Sequence, residues 1–305
     1  MTRVCVAGAG TIGSLLAAHL ARVADVSVLT RREEHARALN EQGLTVTGRA
    51  EFTAPVTAAT DPAQLPEPEL VIVACKGSDV ELLTQRLAGH FPAAMLMTVQ
   101  NGLGAEDVAG AHGNWPLLSA VTFMSGTRLT DTAVEYVLDT ETWIGPYRDT
   151  TPGDARAVAA LLVSSGLKAE GFDDLRPAQW SKLIFNATVN AVAALTGLPH
   201  DPHFAATERR SDLGHLVRDL VDEGKAVASA AGVALWEDPW EMNVLATKRG
   251  RRHSPSMLED VKAHRRTEVD LITGSLVREA DKLGVPVPLH TALYRLVKAK
   301  EASYS

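Results

Sequence analysis

Three side chains recur every fourth residue within one apolar stretch: Lys182, Asn186 and Asn190. On a helix each step of four advances only about 40°, so the three share one face. Around them stand Leu183, Ile184, Phe185, Ala187, Val189, Ala191 and Val192, the composition of a buried helix. An ammonium and two amides on such a helix are costly unless they meet partners. Burial lowers a lysine's pKa, and a lysine that gives up its proton near neutrality suits a general acid. The plain alternative is a stripe that merely faces water.

Further polar residues stand where a site would gather them. Lys76 follows the apolar run 70–74, and Asn101 follows the run 95–99. Both would project from one edge of a sheet; a surface lysine and an ordinary Asn-Gly turn are the alternatives. Ser256 precedes a helical pattern and would cap it. Glu268, on roughly the same face of that pattern, would orient or charge-match a lysine. Glu259 and Asp260 read as a solvated helix surface.

The opening thirty residues supply the other half of a chemistry. A strand-like run, residues 4–7, leads straight into Gly8-Ala9-Gly10-Thr11-Ile12-Gly13, then an Ala/Leu-rich helix and a second strand. That is the order a dinucleotide site requires: the first glycine turns tightly, the second admits a pyrophosphate, the third lets helix and strand approach. The helix N-terminus offers free N–H groups to the phosphates. The second strand ends in Thr30-Arg31-Arg32 with no acid before Glu33. An acid there would bind the ribose hydroxyls of NAD, whereas an arginine suits the 2′-phosphate of NADP(H). Arg31 is assigned that contact, because a guanidinium fork matches phosphate oxygens.

These groups need scaffolds, and 305 residues suffice for two domains. Residues 1–172 alternate short apolar strands with helices, which predicts an α/β Rossmann-type, doubly wound parallel sheet. Asp79 is placed to cap a helix reaching about Phe91. Residues 173–305 read as an all-α domain: helices from Pro177 to about Leu195, through residues 213–232, from Met257 to Leu283 and from Leu289 to Lys300. The active site is then expected in the cleft at the carboxyl ends of the strands.

Composition narrows the partners. A net charge of −7 disfavours nucleic acid, and the basic run Lys248-Arg249-Gly250-Arg251-Arg252 reads as a solvated loop. Cys5 and Cys75 lie in apolar runs, with neither disulfide framework nor zinc spacing, so no metal is expected. No apolar stretch spans a bilayer and the first strand leaves no room for a signal peptide, so a cytoplasmic protein is expected. A homodimer would form through the exposed faces of the C-terminal helices, although no heptad specifies one.

Taken together, the chain resembles the ketopantoate reductase (2-dehydropantoate 2-reductase) family over nearly its whole length. The resemblance rests on the GAGTIG turn, Cys75-Lys76, Gln100-Asn101-Gly102, Trp180-Ser181-Lys182-Leu183 with Asn186 and Asn190, Pro255 to Asp260, and Thr267-Glu268-Val269-Asp270. It implies a Rossmann domain and a helical domain that close on NADPH and a 2-oxo acid. It makes Lys182 the proton donor, supported by Glu268, and puts Lys76 and Asn101 near nicotinamide and substrate. It makes Asn186, Asn190 and Ser256 substrate contacts and Gly126 a backbone cofactor contact. The chain departs from the family at Ala191, where the family tends to have Pro, at His200 and His253, where it has Asn, and at Thr273-Gly274, where it has Asn-Gly. All lie at the substrate end, so a reductase of another 2-oxo or β-keto compound is the runner-up. A non-catalytic NADP-binding regulator is the reading from a different class.

Overall fold

The computed structural model describes residues 2–208, 211–249 and 254–304. It divides into two compact units: residues 1–100 with 105–175, and residues 101–104 with 176–305. The short segment 101–104 therefore counts with the second unit, although the strand before it belongs to the first.

The first unit carries twelve strands: β1 (Arg3–Ala7), β2 (Asp25–Leu29), β3 (Leu44–Gly48), β4 (Phe52–Ala54), β5 (Thr57–Ala59), β6 (Leu70–Val73), β7 (Met95–Thr98), β8 (Leu117–Thr122), β9 (Ser125–Arg128), β10 (Ala133–Leu138), β11 (Thr142–Arg148) and β12 (Ala169–Gly171). Five helices join them: α1 (Thr11–Leu20), α2 (Glu33–Gln42), α3 (Val80–Leu87), α4 (Ala105–Gly110) and α5 (Pro152–Ser164). The main sheet runs β12-β11-β8-β7-β6-β1-β2-β5, parallel throughout except where β11 meets β8. Successive β1 residues serve opposite faces: Val4 and Val6 pack with Leu15, Leu16 and Leu20 of α1, while Cys5 and Ala7 pack with Val80, Leu83 and Leu87 of α3. Both faces are covered, so the parallel strands are apolar throughout.

The second unit holds α6 (Arg176–Thr196), α7 (Asp212–Ala230), α8 (Pro239–Arg249), α9 (Ser256–Lys262), α10 (Thr273–Leu283) and α11 (Pro288–Glu301). Helix α6 is its axis. Leu183, Ile184, Ala187, Ala191 and Ala194 enter one apolar cluster, and Val189, Val192 and Ala193 enter another.

Not every strand joins the main sheet: β3 and β10 pair with β4 and β9 in a second sheet, β4-β3-β10-β9. Four expectations need correction. Asp260 is buried rather than solvated, with its Oδ1 3.1 Å from Arg265 Nε. The helix after Asp79 ends at Leu87, and Phe91 sits in a turn at φ +53°. The expected helix from Met257 to Leu283 is two helices, because His264 adopts φ +49° and Glu301 captures the Thr267 N–H and hydroxyl, both at 2.7 Å. Its broken middle contains Glu268, so Glu268 shares no helix face with Ser256. Helix α8 was not foreseen, because its buried side includes the polar Asn243 and Thr247 while Leu245 is exposed, so its apolar residues mark no single face.

Candidate active site

The first unit opens a glycine turn at the carboxyl end of β1. Gly8 adopts φ +107°, and a Cβ there would stand 2.7 Å from the Cys75 backbone nitrogen. A Cβ on Gly13 would stand 1.9 Å from the Gly8 carbonyl oxygen. Gly10 differs, since no atom beyond its immediate chain neighbours and its own helix lies within 4 Å of where its Cβ would be. As N-cap of α1 it has no side chain to occupy the first N–H groups, and the first turn of α1 carries no acid. Open space, uncommitted N–H groups and a positive helix end fit a dinucleotide diphosphate. Ala9 is buried behind the turn, and Thr11 and Ile12 are half-buried at the start of the helix. Gly126, on β9, lies against them; its Cβ would meet the Thr11 side chain at 3.1 Å and that of Leu15 at 3.0 Å.

Strand order reverses between β1 and β6, the switch point at which open α/β sheets bind ligands. The two strands pair in register, Ala7 opposite Val73, so Lys76 follows the strand end beside the glycine turn and is exposed. Gln100 Nε2 donates to the carbonyls of Val73 at 2.8 Å and Cys75 at 3.0 Å, tying the exits of β6 and β7 together. Nothing in its spacing marked Gln100 for that task. Arg31 follows β2 and is exposed, its Nη1 3.1 Å from Asp79 Oδ2.

In the second unit α6 buries its polar stripe. Lys182, Asn186 and Asn190 are only 7%, 8% and 7% exposed. The two asparagines make no hydrogen bond among the described residues, yet their amide tips are not sealed from solvent. Such groups await a ligand or water. Burial pushes the Lys182 pKa down to about 8, and the charge of Glu268 opposes that fall. Asn101 Nδ2 in turn donates to Glu268 Oε2 at 3.3 Å. The loop holding Asn101 is fastened by the Leu103 N–H to the Leu271 carbonyl at 3.0 Å, and Gly102 turns there at φ +99°. Lys182, Glu268 and Asn101 thus form one electrostatic group.

Other sequence candidates stand elsewhere. Ser256 does not cap α9 as expected: it is the exposed first residue inside that helix, and Pro255 stands at the N-cap. His200 is buried, with Nε2 2.9 Å from Asn243 Oδ1 and its ring edge-on to Phe204. That is the setting of a core histidine rather than a substrate contact. Ala191 and Thr273 are wholly buried, and the Thr273 hydroxyl donates to the Ala187 carbonyl on α6 at 3.5 Å. His253 and the end of the basic run lie outside the described residues. Among those residues no cluster of three or more His, Cys, Asp or Glu could hold a metal, and no helix is long and apolar enough to cross a membrane.

The strand order and the glycine turn define a Rossmann-type fold, and the relatives that this chain matches make it a nicotinamide-dependent oxidoreductase. Residues 4–149 match the family described as "Ketopantoate reductase PanE/ApbA", and residues 174–301 match "Ketopantoate reductase PanE/ApbA C terminal". The 2-dehydropantoate 2-reductase of Halobacterium salinarum is 30% identical over 97% of this chain and 98% of its own. That of Archaeoglobus fulgidus is 27% identical over 98% of each. Among solved structures, a PanE/ApbA family ketopantoate reductase from Ralstonia eutropha superposes with a TM-score of 0.89 at 27% identity, covering 99% of both chains. A D-mandelate dehydrogenase solved with NADH and anilino(oxo)acetate shares the fold, with a TM-score of 0.90 at 23% identity over 99% of both. The chain belongs to the ketopantoate reductase family.

Proposed function

We propose that the chain reduces 2-dehydropantoate to (R)-pantoate with NADPH, in the cytoplasm, on the route to pantothenate and coenzyme A. One observation carries the reading: a lysine sunk in α6, its pKa drawn down to about 8, stands on one face with two unpartnered amides. The 2-dehydropantoate 2-reductases named above support the substrate.

Gly8 to Gly13 receive the diphosphate on backbone N–H groups, and Arg31 meets the 2′-phosphate. Lys76 and Asn101 hold the nicotinamide end, and Gly126 lends a backbone contact. When bound, the nicotinamide supplies the hydride that reaches the 2-keto carbon. The keto oxygen then becomes an alkoxide, and Lys182 Nζ gives it a proton. Before that transfer the ammonium polarises the carbonyl, and its positive charge favours the developing oxyanion. Glu268 keeps Lys182 protonated enough to act. Asn101, Asn186, Asn190 and Ser256 orient the 2-oxo acid by hydrogen bonds to its oxygens.

The test is a panel of 2-oxo acids followed by NADPH absorbance. Turnover of 2-dehydropantoate well above the other acids is expected. Inertness toward it alongside rapid reduction of another keto acid would transfer the reading to a related reductase.

A further inference from the structure

Asp79 is the N-cap residue of α3, and an aspartate there ordinarily accepts the helix's first N–H groups. Here its side chain makes no capping bond. The carboxylate instead reaches Arg31 Nη1 at 3.1 Å through Oδ2, while the Ser78 hydroxyl lies 3.4 Å from Oδ1. The backbone N–H of Asp79 donates to the Lys76 carbonyl at 2.8 Å, which fixes the turn from which the carboxylate projects.

The other arginines at this end of the sheet are committed differently. Arg32 Nη2 meets both oxygens of Asp131 at 2.7 Å, and Arg128 bonds the same carboxylate. Arg86 Nη2 is bound to the carbonyls of Thr30 and Thr60. Arg31 is held at one point only, with its side chain 72% exposed. It is the arginine able to turn its fork to an incoming anion, and Asp79 is the group already using it.

We propose that Asp79 sets the dinucleotide preference of this chain, its carboxylate competing with the ribose 2′-phosphate for Arg31 and so narrowing the margin of NADPH over NADH. This rests on the reading of Arg31 as the 2′-phosphate contact. A phosphate monoester carries close to two negative charges at neutral pH, so Asp79 both occupies the fork and repels the newcomer. NADH brings neutral hydroxyls to the same place and neither displaces the pair nor suffers the repulsion. The family resemblance alone says nothing of this, because it is the placement of Asp79 on Arg31 that creates the competition.

The experiment is direct titration of the full-length protein with NADPH and with NADH, read by protein and nicotinamide fluorescence, on Asp79→Asn, Arg31→Ala and the double variant. Asparagine is as good an N-cap as aspartate, so the fold is kept. Asp79→Asn is expected to tighten NADPH by about two- to fivefold at low ionic strength, fading with added salt, and to leave NADH alone. In the Arg31→Ala background the same substitution is expected to lose its effect. If Arg31→Ala selectively weakens NADPH but Asp79→Asn does not tighten it, the competition is refuted and the reading of Arg31 survives. An effect of Asp79→Asn that persists without Arg31 also refutes it. If Arg31→Ala leaves both affinities unaltered, Arg31 is not the phosphate contact and both statements fall together.

Discussion

Asn101 Nδ2 lies 3.3 Å from Glu268 Oε2 although 167 positions separate them in the chain. The pair links a residue that follows a strand of the Rossmann sheet to the carboxylate that acts on Lys182. What holds it is backbone: Leu103 N–H on the Leu271 carbonyl, with Gly102 turned to let the two segments touch.

Gly102→Ala tests that fastening. An added Cβ would stand 1.8 Å from the Leu271 carbonyl oxygen, at a φ of +99° that side chains avoid. The loop must lift, at a cost of about 1–3 kcal/mol in a urea melt. A lost charge-assisted hydrogen bond of about 1.5–3 kcal/mol predicts a fall of roughly tenfold or more in kcat/KM. Parent-like values of both would show that the contact does not matter.

Removing the acid should be costly to rate and not to cofactor binding. Lys182→Ala is expected to lower kcat for keto-acid reduction by about 10²–10⁴-fold while the NADPH Kd stays close to that of the parent. With a pKa of about 8, the donor form of Lys182 is lost as pH rises, so the reduction rate should fall through that range. Glu268 raises this pKa, so Glu268→Gln should move the falling limb to lower pH. A limb that stays in place, or moves up, contradicts the pairing.

The same lysine should weaken the fold below pH 8. Its folded pKa of about 8 lies under the ordinary 10.5, so between those values the unfolded chain binds the extra proton and stability rises with pH. The burden is complete below pH 8 and gone by about pH 10.5. Lys182→Met should therefore be the more stable protein at pH 7, by on the order of 3 kcal/mol, with the advantage shrinking toward pH 10. Urea midpoints measured across that range decide it; an advantage that grows with pH reverses the sign.

Two glycines of one turn should answer differently to alanine. Gly13→Ala drives a methyl to 1.9 Å from the Gly8 carbonyl oxygen and should unseat α1, lowering the melting temperature. Gly10→Ala enters open space at φ −79°, so the fold should hold while the dinucleotide affinity drops, because the methyl takes the room a diphosphate needs. Intact dinucleotide binding by Gly10→Ala would place the diphosphate elsewhere.

Local chemistry was legible in the residues. Strand, glycine turn and helix follow one another within the first twenty positions, so sterics at Gly8 and Gly13 and the apolar runs decide that architecture without distant help. The stripe of Lys182, Asn186 and Asn190 is likewise a matter of helical period, and its face was readable. The burial that lowers the lysine's pKa was not, because it depends on helices far along the chain packing on both sides of α6. Nor was the break that frees Glu268 from a helix, which is made by Glu301 bonding Thr267 across 34 residues. Asp79 shows the same limit: its type and position spell a helix cap, yet the carboxylate went to Arg31, 48 residues away. Periodicity and steric limits act between neighbours and are written in the order of residues; desolvation and choice of partner depend on what else folding brings within a few ångströms.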